Sequence, residues 1–343
     1  MEVSGADVFA LQEIENGGFA EGAAIDTLVA ELNAQVNPGG TGPFAFVNPT
    51  GVTAPGDTGG LIGTDAITTG ILYDASQVRV VNSEFLVFEE ASAATTFAVS
   101  EALAALLPGG NSVGDFQRNR PSVAATFEEL DDDGNPTGNT FTVASSHFKS
   151  KGDSGLADLA EDAQAFLASN PGETAVQDAL DTLLADPNFD QGDGQGFWNQ
   201  VRADAAIELG DWIETGYNDG AGAGDNYVLL GDLNAYAEED PVQALDDDAG
   251  LVDLIDTFVP GGQDEAYSFV FDGQQGSLDH GLASDGFANL VTGATEWHIN
   301  ADEPDLLNFD TDFNDPAFFN DGVFAASDHD PLIIGLSFDP LIG

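Results

Sequence analysis

Tyr227-Val228-Leu229-Leu230 is a run of four apolar residues that stops at Gly231 and is followed by Asp232-Leu233-Asn234. A short, continuous apolar run bounded by glycine reads as a strand buried on both faces. Alternation places the Asp232 carboxylate and the Asn234 carboxamide on one side of the backbone as it leaves the strand. That pair can close an Asx turn. It can equally hold a metal-bound oxyanion and orient a water, and both readings stand at this point.

The remaining segments supply the layers. Residues 7–13 read as a strand ending in the carboxylate of Glu13, and 19–34 carry Ala24, Leu28, Val29 and Leu32 at helical spacing before Asn37-Pro38-Gly39-Gly40. A short strand is expected at 43–47, a loop at 48–64, and two strands at 66–73 and 78–88 joined at Asp74-Ala75-Ser76. Strands at 121–128 and 140–146 flank Asp131-Asp132-Asp133-Gly134-Asn135, which lacks the full loop of an EF-hand and reads as a plain hairpin turn. Residues 155–216 are helical in three pieces, 156–168, 175–184 and 197–215. After the 227–230 strand come a short helix near 240–245, strands near 267–271 and 278–284, a polar loop at 300–322 and a closing strand at 331–338. Strands that alternate with helical crossovers, with hairpins among them, make α/β with mixed sheets. The 343 residues show no internal repeat and no Pro- or Ser-rich linker, so a single domain is expected.

Charge sets the surroundings. Sixty-one acidic residues face six Lys and Arg, for a formal charge of −55. Self-repulsion of that size destabilises a compact state unless salt screens it. The surface therefore reads as adapted to a saline environment. Disorder is the other explanation of high charge, but 42% hydrophobic residues and 24 Phe are enough for a core. No run of apolar residues is long enough to span a membrane, the first seven residues lack the pattern of a signal peptide, and the absence of cysteine excludes disulfides and thiolate metal sites. So acidic a surface disfavours general nucleic-acid binding. The few cations are clustered, however: Arg118 and Arg120 in one stretch, Lys149 and Lys151 in another. If those stretches meet, they form a local phosphate site on an acidic body.

There are four histidines: His147, His280, His298 and His329. Ser327-Asp328-His329-Asp330-Pro331 opens the last strand, Ser277-Leu278-Asp279-His280-Gly281 holds a second acid–imidazole pair, and Ser145-Ser146-His147 ends a strand and leads into the lysines. An imidazole held by a carboxylate through one ring nitrogen is fixed in tautomer and acts on phosphate or water with the other. Hard carboxylates such as Glu13 and Asp328 suit Mg²⁺, which binds through few protein ligands plus water and substrate phosphate. Together these parts suit metal-assisted attack of water on a phosphodiester.

Gln12-Glu13, Ser146-His147, Gly231-Asp232-Leu233-Asn234, Ser277-Leu278-Asp279-His280 and Ser327-Asp328-His329-Asp330-Pro331 occur in an order that resembles the endonuclease/exonuclease/phosphatase superfamily, the DNase I-like fold. Glu13-Ile14-Glu15-Asn16, Gly63-Thr64-Asp65-Ala66-Ile67, His147-Phe148-Lys149-Ser150-Lys151-Gly152, Trp198-Asn199-Gln200-Val201-Arg202 and Trp297-His298-Ile299-Asn300-Ala301-Asp302-Glu303-Pro304 further resemble secreted bacterial extracellular nucleases of that superfamily. The likeness covers nearly the whole chain except about 154–195, which reads as an acidic helical insertion. It implies a four-layer α/β sandwich of two mixed sheets flanked by helices. It also implies a strand ahead of Gln12-Glu13 carrying a metal-site Asn, which the six residues before Asp7 are too few to supply, so the domain is expected to be truncated at its N-terminus.

The same resemblance implies roles. Glu13 is the principal metal ligand, with Asp328 near the same ion, which is Mg²⁺ or Mn²⁺ with Ca²⁺ as an alternative. Asp232 orients or deprotonates the attacking water and Asn234 helps hold the phosphate. His329, supported by Asp279, stabilises the phosphoryl oxygens or exchanges a proton. His147 contacts the phosphate from the other side, braced by Asp65. Arg120 binds a flanking phosphate, and Lys149 and Lys151 bind the backbone beyond it. His280 is read as structural, and the loop around His298 has no role that its residues reveal.

Three functions compete on these residues. A metal-dependent, salt-tolerant extracellular nuclease acting on DNA, with no membrane and no obligate protein partner, accounts for the lysines and Arg120. A phosphomonoesterase or phospholipid phosphodiesterase on the same scaffold is the second; no exposed apolar hairpin for membrane docking is evident in the sequence. The third is a non-catalytic acidic binding protein with a decayed nuclease fold, supported by the missing strand and opposed by the retention of Asp232, Asn234, Asp279, Asp328 and His329.

Overall fold

A computed structural model of the protein describes residues 4–54, 60–114, 117–304, 324 and 326–339. Most of the 300–322 loop expected above lies outside these residues. The strands, in chain order, are β1 (Val8–Glu15), β2 (Phe44–Phe46), β3 (Ile67–Asp74), β4 (Val78–Leu86), β5 (Arg120–Leu130), β6 (Pro136–His147), β7 (Tyr227–Asp232), β8 (Val252–Asp253), β9 (Phe269–Phe271), β10 (Gln274–Gly276), β11 (Asp279–Ala283), β12 (Val291–Glu296) and β13 (Leu332–Leu336).

The apolar run at 227–230 becomes β7, in the interior of a six-stranded mixed sheet of order β4-β5-β6-β7-β11-β8. Its pairing with β6 is parallel, whereas β11 runs antiparallel on its other side. Both faces are covered, as the run implied. Val228 and Leu230 join Val123, Ala125, Phe127 and Val143 in a core beneath a second layer of strands, β1-β3-β2 and β12-β13. Tyr227 and Leu229 face the helices instead, packing with Ala205, Leu209, Ile213 and Leu245.

Helix α1 (Ala24–Val36) lies against β1 and β2 and buries Ile25 and Val29. On the opposite side α2 (Ala91–Ala104), α3 (Leu156–Ser169), α4 (Thr174–Leu184) and α5 (Asn199–Asp211) form a helical layer. The result is helix, sheet, sheet, helix. The acidic insertion is bound into this layer: Leu156, Leu159, Leu180 and Leu183 close on Phe97, Leu103 and Trp198.

Helix α2 was not foreseen. Its buried face is Ala93, Thr96, Phe97, Ser100, Leu103 and Ala104, a helical repeat built mostly from small or hydroxylated residues, so the apolar periodicity is faint. Thr96 is buried because Asp186 accepts its hydroxyl hydrogen at 2.9 Å and Asn188 donates to it at 2.9 Å. The strand expected near 267–271 is β9, and only its hairpin partner β10 was not foreseen. The hairpin turns at Asp272-Gly273, both at positive φ, and leaves Phe271 exposed between Asp272 and the glutamines of β10.

Candidate active site

Strand register assembles the site. His147, the last residue of β6, is paired with Asp232, the last of β7, and Asp232 is paired with Asp279, the first of β11. On the other side of β6, Arg120 at the start of β5 is paired with His147. Four side chains from four strands therefore meet at one end of the sheet. Gly231 makes this possible: it has φ +140°, and a Cβ there would lie 1.9 Å from the Ser146 carbonyl oxygen. Only glycine lets β7 come this close to β6 just before Asp232.

Asp232 and Asn234 do close an Asx turn, and they also point into the site. The Asn234 amide donates to Asp232 Oδ1 at 2.7 Å, and Asn234 Nδ2 donates to Asp232 Oδ2 at 3.0 Å and to the Phe148 carbonyl at 3.1 Å. His147 Nε2 lies 3.4 Å from Asp232 Oδ2. Burial alone would raise the Asp232 pKa, but the His147 hydrogen bond, the charges of His147 and His329 and the Asn234 amide outweigh it and hold the carboxyl below the usual range.

Asp65 does not brace His147. Its carboxylate pairs with Arg120, Oδ2 to Nε at 2.9 Å, while Arg120 Nη1 reaches the Phe148 carbonyl at 3.1 Å and lies 3.5 Å from His147 Nε2.

The second dyad is tighter. Asp279 Oδ2 lies 2.6 Å from His329 Nδ1 and accepts the Ser268 hydroxyl at 2.6 Å. Ser268 in turn accepts the amides of Leu278 and Asp279, so a lone serine with no recognisable sequence context fixes the carboxylate. Burial would lower the His329 pKa, but Asp279, through charge and hydrogen bond, together with Asp232 and Asp328, pushes it up to about 10. His329 is thus an imidazolium at neutral pH, 4.7 Å from the Phe269 ring centre.

The two basic stretches do meet. Lys149 N–H donates to Asn119 Oδ1 at 3.0 Å, and the Lys149 ammonium feels Arg118, Arg120 and Arg202. Five of the six Lys and Arg gather at this end of the molecule; Arg79 instead pairs with Glu128 on β5. Arg118 and Arg202 are buried and structural. Arg118 is clasped by the Phe97 and Trp198 rings, and Arg202 donates to the carbonyls of Lys149, Gln195 and Phe197, tying the lysine segment to α5. Arg120, Lys149 and Lys151 remain beside the dyads. Lys149 is 8% exposed, and burial, reinforced by the three guanidinium groups, pushes its pKa down to about 8. Lys151 pairs with Glu239 and lies over the Tyr236 ring.

The loop around His298 proves to be the support for the His329 segment. Asp330 is buried, and its Oδ1 accepts the amides of Ile299, Asn300 and Ala301 at 2.8–3.1 Å while Oδ2 lies 3.0 Å from His298 Nδ1. Asn300 Nδ2 donates to the His329 carbonyl at 2.7 Å. His298 is stacked on Tyr267 at 3.9 Å, and His280 Nε2 meets the Ala235 carbonyl at 2.8 Å, a structural role as expected.

Glu13 and Asp328 make no hydrogen bond within this network, although the Asp328 charge acts on His329. Glu13 sits in a β1 bulge at φ 58°, and both carboxylates are exposed. Neither has a side-chain hydrogen bond or ion pair among the described residues, which also contain no cluster of three or more metal-ligating side chains. Two solvent-facing hard carboxylates fit Mg²⁺ or Mn²⁺, held mainly by water and substrate, better than Ca²⁺ with its six to eight oxygens.

No protein-family model and no curated protein matches the chain. Solved structures similar to it include an endonuclease/exonuclease/phosphatase family protein from Bacteroides thetaiotaomicron, at 12% identity, 86% of this chain and 74% of that one, TM-score 0.43. A mannosyl-6-phosphatase from the same species is similar at 13% identity over 98% and 87%, TM-score 0.46. An AP endonuclease from Leishmania major is similar at 13% over 97% and 79%, TM-score 0.41. The likeness is one of fold.

Proposed function

We propose that this chain is a metal-dependent phosphodiesterase that hydrolyses nucleic acid, with DNA as its substrate. The observation that carries this reading is the meeting of two acid–imidazole dyads, His147 with Asp232 and Asp279 with His329, on adjacent strand ends beside nearly every cation of a chain charged −55. Arg118 and Arg202 serve the fold, which leaves Arg120, Lys149 and Lys151 as the cations beside the dyads. A bound phosphodiester gives that arrangement a purpose.

Glu13 and Asp328 would hold Mg²⁺ or Mn²⁺, which when bound supplies Lewis-acid neutralisation of the phosphate and a lowered pKa of coordinated water. Asp232, kept well ionised, is a weak base whose part is to orient the attacking water. Asn234 holds that carboxylate in place through its backbone amide and its carboxamide. His329, charged and fixed by Asp279, stabilises the negative charge that develops on the phosphoryl oxygens. His147 and Arg120 approach the phosphate from the opposite side, and Lys149 and Lys151 follow the strand onward. Support for an extracellular, saline setting comes from the acidic surface and from the resemblance to secreted nucleases.

The test is plasmid DNA cleavage with Mg²⁺ or Mn²⁺ from low to molar salt, comparing the chain with Asp232→Ala and His329→Ala. Metal-dependent cleavage that both substitutions abolish, with unchanged circular dichroism, is expected. A folded chain that never cleaves, or variants that cleave as well as the parent, would overturn it.

A further inference from the structure

The hairpin beside His329 presents an aromatic surface that the hydrolytic reading does not use. Phe269 and Phe271 are two residues apart on β9 and share a face, with ring planes within 17° of each other. Phe269 lies against His329, and Phe271 is 64% exposed, an unusual position for phenylalanine on so charged a protein. Phe269 is paired with Gly276 of β10, and paired residues point to the same face. A side chain at Gly276 would collide with the Tyr236 ring at 2.5 Å, so the glycine leaves that face of the hairpin open for Tyr236, itself 36% exposed. Lys151 Nζ sits 4.9 Å from the centre of the Tyr236 ring. The aromatic face thus starts at a catalytic histidine and is bordered by a cation from the basic cluster.

We propose that Tyr236, Phe269 and Phe271 form a stacking platform for unpaired bases flanking the scissile phosphate, which makes single-stranded nucleic acid the preferred substrate. This rests on the phosphodiesterase reading of the same site. Charge argues for stacking in particular. A chain of −55 repels a polyanion at low salt, and at high salt phosphate contacts lose their counterion-release advantage. Stacking on an aromatic face is indifferent to base identity and adds affinity that salt does not screen away. A membrane is the other occupant an exposed Phe suggests, but Asp272 and the glutamines of β10 frame Phe271, and Lys151, the cation that borders the face, is already paired with Glu239 and does not offset the repulsion of a −55 chain from an anionic lipid surface.

The test measures binding, so it stands whether or not cleavage is seen. Fluorescence anisotropy in molar KCl would compare a labelled single strand, the same backbone with abasic residues, and the matching duplex, for the parent, Phe271→Ala and Phe271→Trp. The single strand should bind the parent about tenfold more tightly than either competitor, Phe271→Ala should lose about that factor, and Phe271→Trp should restore it. The loss should be the same at low and high salt. Equal affinity for based and abasic strands, or no effect of Phe271→Ala, would overturn the platform. So would Phe271-dependent binding to phosphatidylcholine–phosphatidylglycerol vesicles in place of the single strand. Absence of cleavage with the base-dependent binding intact would count against the hydrolytic reading alone.

Discussion

Lys149 should cost the folded protein stability, and replacing it should reveal how much. Its ammonium is 8% exposed, and its pKa is driven from 10.5 to about 8, first by burial and then by Arg118, Arg120 and Arg202. A displacement of that size corresponds to about 3 kcal/mol against the charged form at neutral pH. Because the folded-state pKa lies below the unfolded one, the native chain binds fewer protons than the unfolded chain between pH 8 and 10.5. Stability attributable to this group therefore rises with pH across that window, and the penalty is complete below it. Lys149→Met keeps the length of the side chain and removes the charge. The ammonium's bonds to the Ser150 carbonyl and hydroxyl are lost, but Ser150 is exposed and water replaces them. Denaturant unfolding followed by circular dichroism in molar KCl should show the variant more stable by about 1–3 kcal/mol at pH 7 and equal to the parent near pH 10.5. The same variant should bind DNA more weakly. A variant that is no more stable at pH 7, or whose gain is unchanged at high pH, would refute the reasoning. A cation kept at a cost to folding, in a chain with only six, is what a phosphate-binding role predicts.

Gly231→Ala should destabilise the chain by several kcal/mol, on the order of 3 or more, because the new Cβ meets backbone that cannot move without parting β6 from β7; a thermal melt checks it. Asp330→Ala removes the acceptor of three backbone amides and the partner of His298, and should cost about 3 kcal/mol by denaturant titration. Activity per folded molecule should fall as well, since the clamped segment carries His329. The midpoint of thermal unfolding should climb steeply between low and molar KCl, as screening removes the repulsion of a −55 charge; a midpoint indifferent to salt would contradict the saline reading.

Much of the architecture was legible because β-strand and helix periodicities survive in the sequence: the doubly buried run at 227–230, the hairpin at 131–135 and the helices at 156–184 all lie where their apolar residues place them. Helix α2 was not, because its buried face is mostly alanine, threonine and serine, and the partners of Thr96, Asp186 and Asn188, are about ninety residues away in sequence. Asp232, Asn234, Asp279, His147 and His329 could be named in advance since acids and imidazoles at strand ends are rare and chemically conspicuous. Their pairing could not. Whether Asp65 faces His147 or Arg120, which serine orients Asp279, and why the loop at 298–301 exists are set by strand register and by buried hydrogen bonds between distant segments. Composition alone determined that this is a strongly acidic chain with enough apolar residues for a core and only six Lys and Arg. Only the tertiary structure decided that five of them converge, because bringing Arg118, Arg120, Lys149, Lys151 and Arg202 together depends on the pairing of β5 with β6 and on α5 packing over both strands.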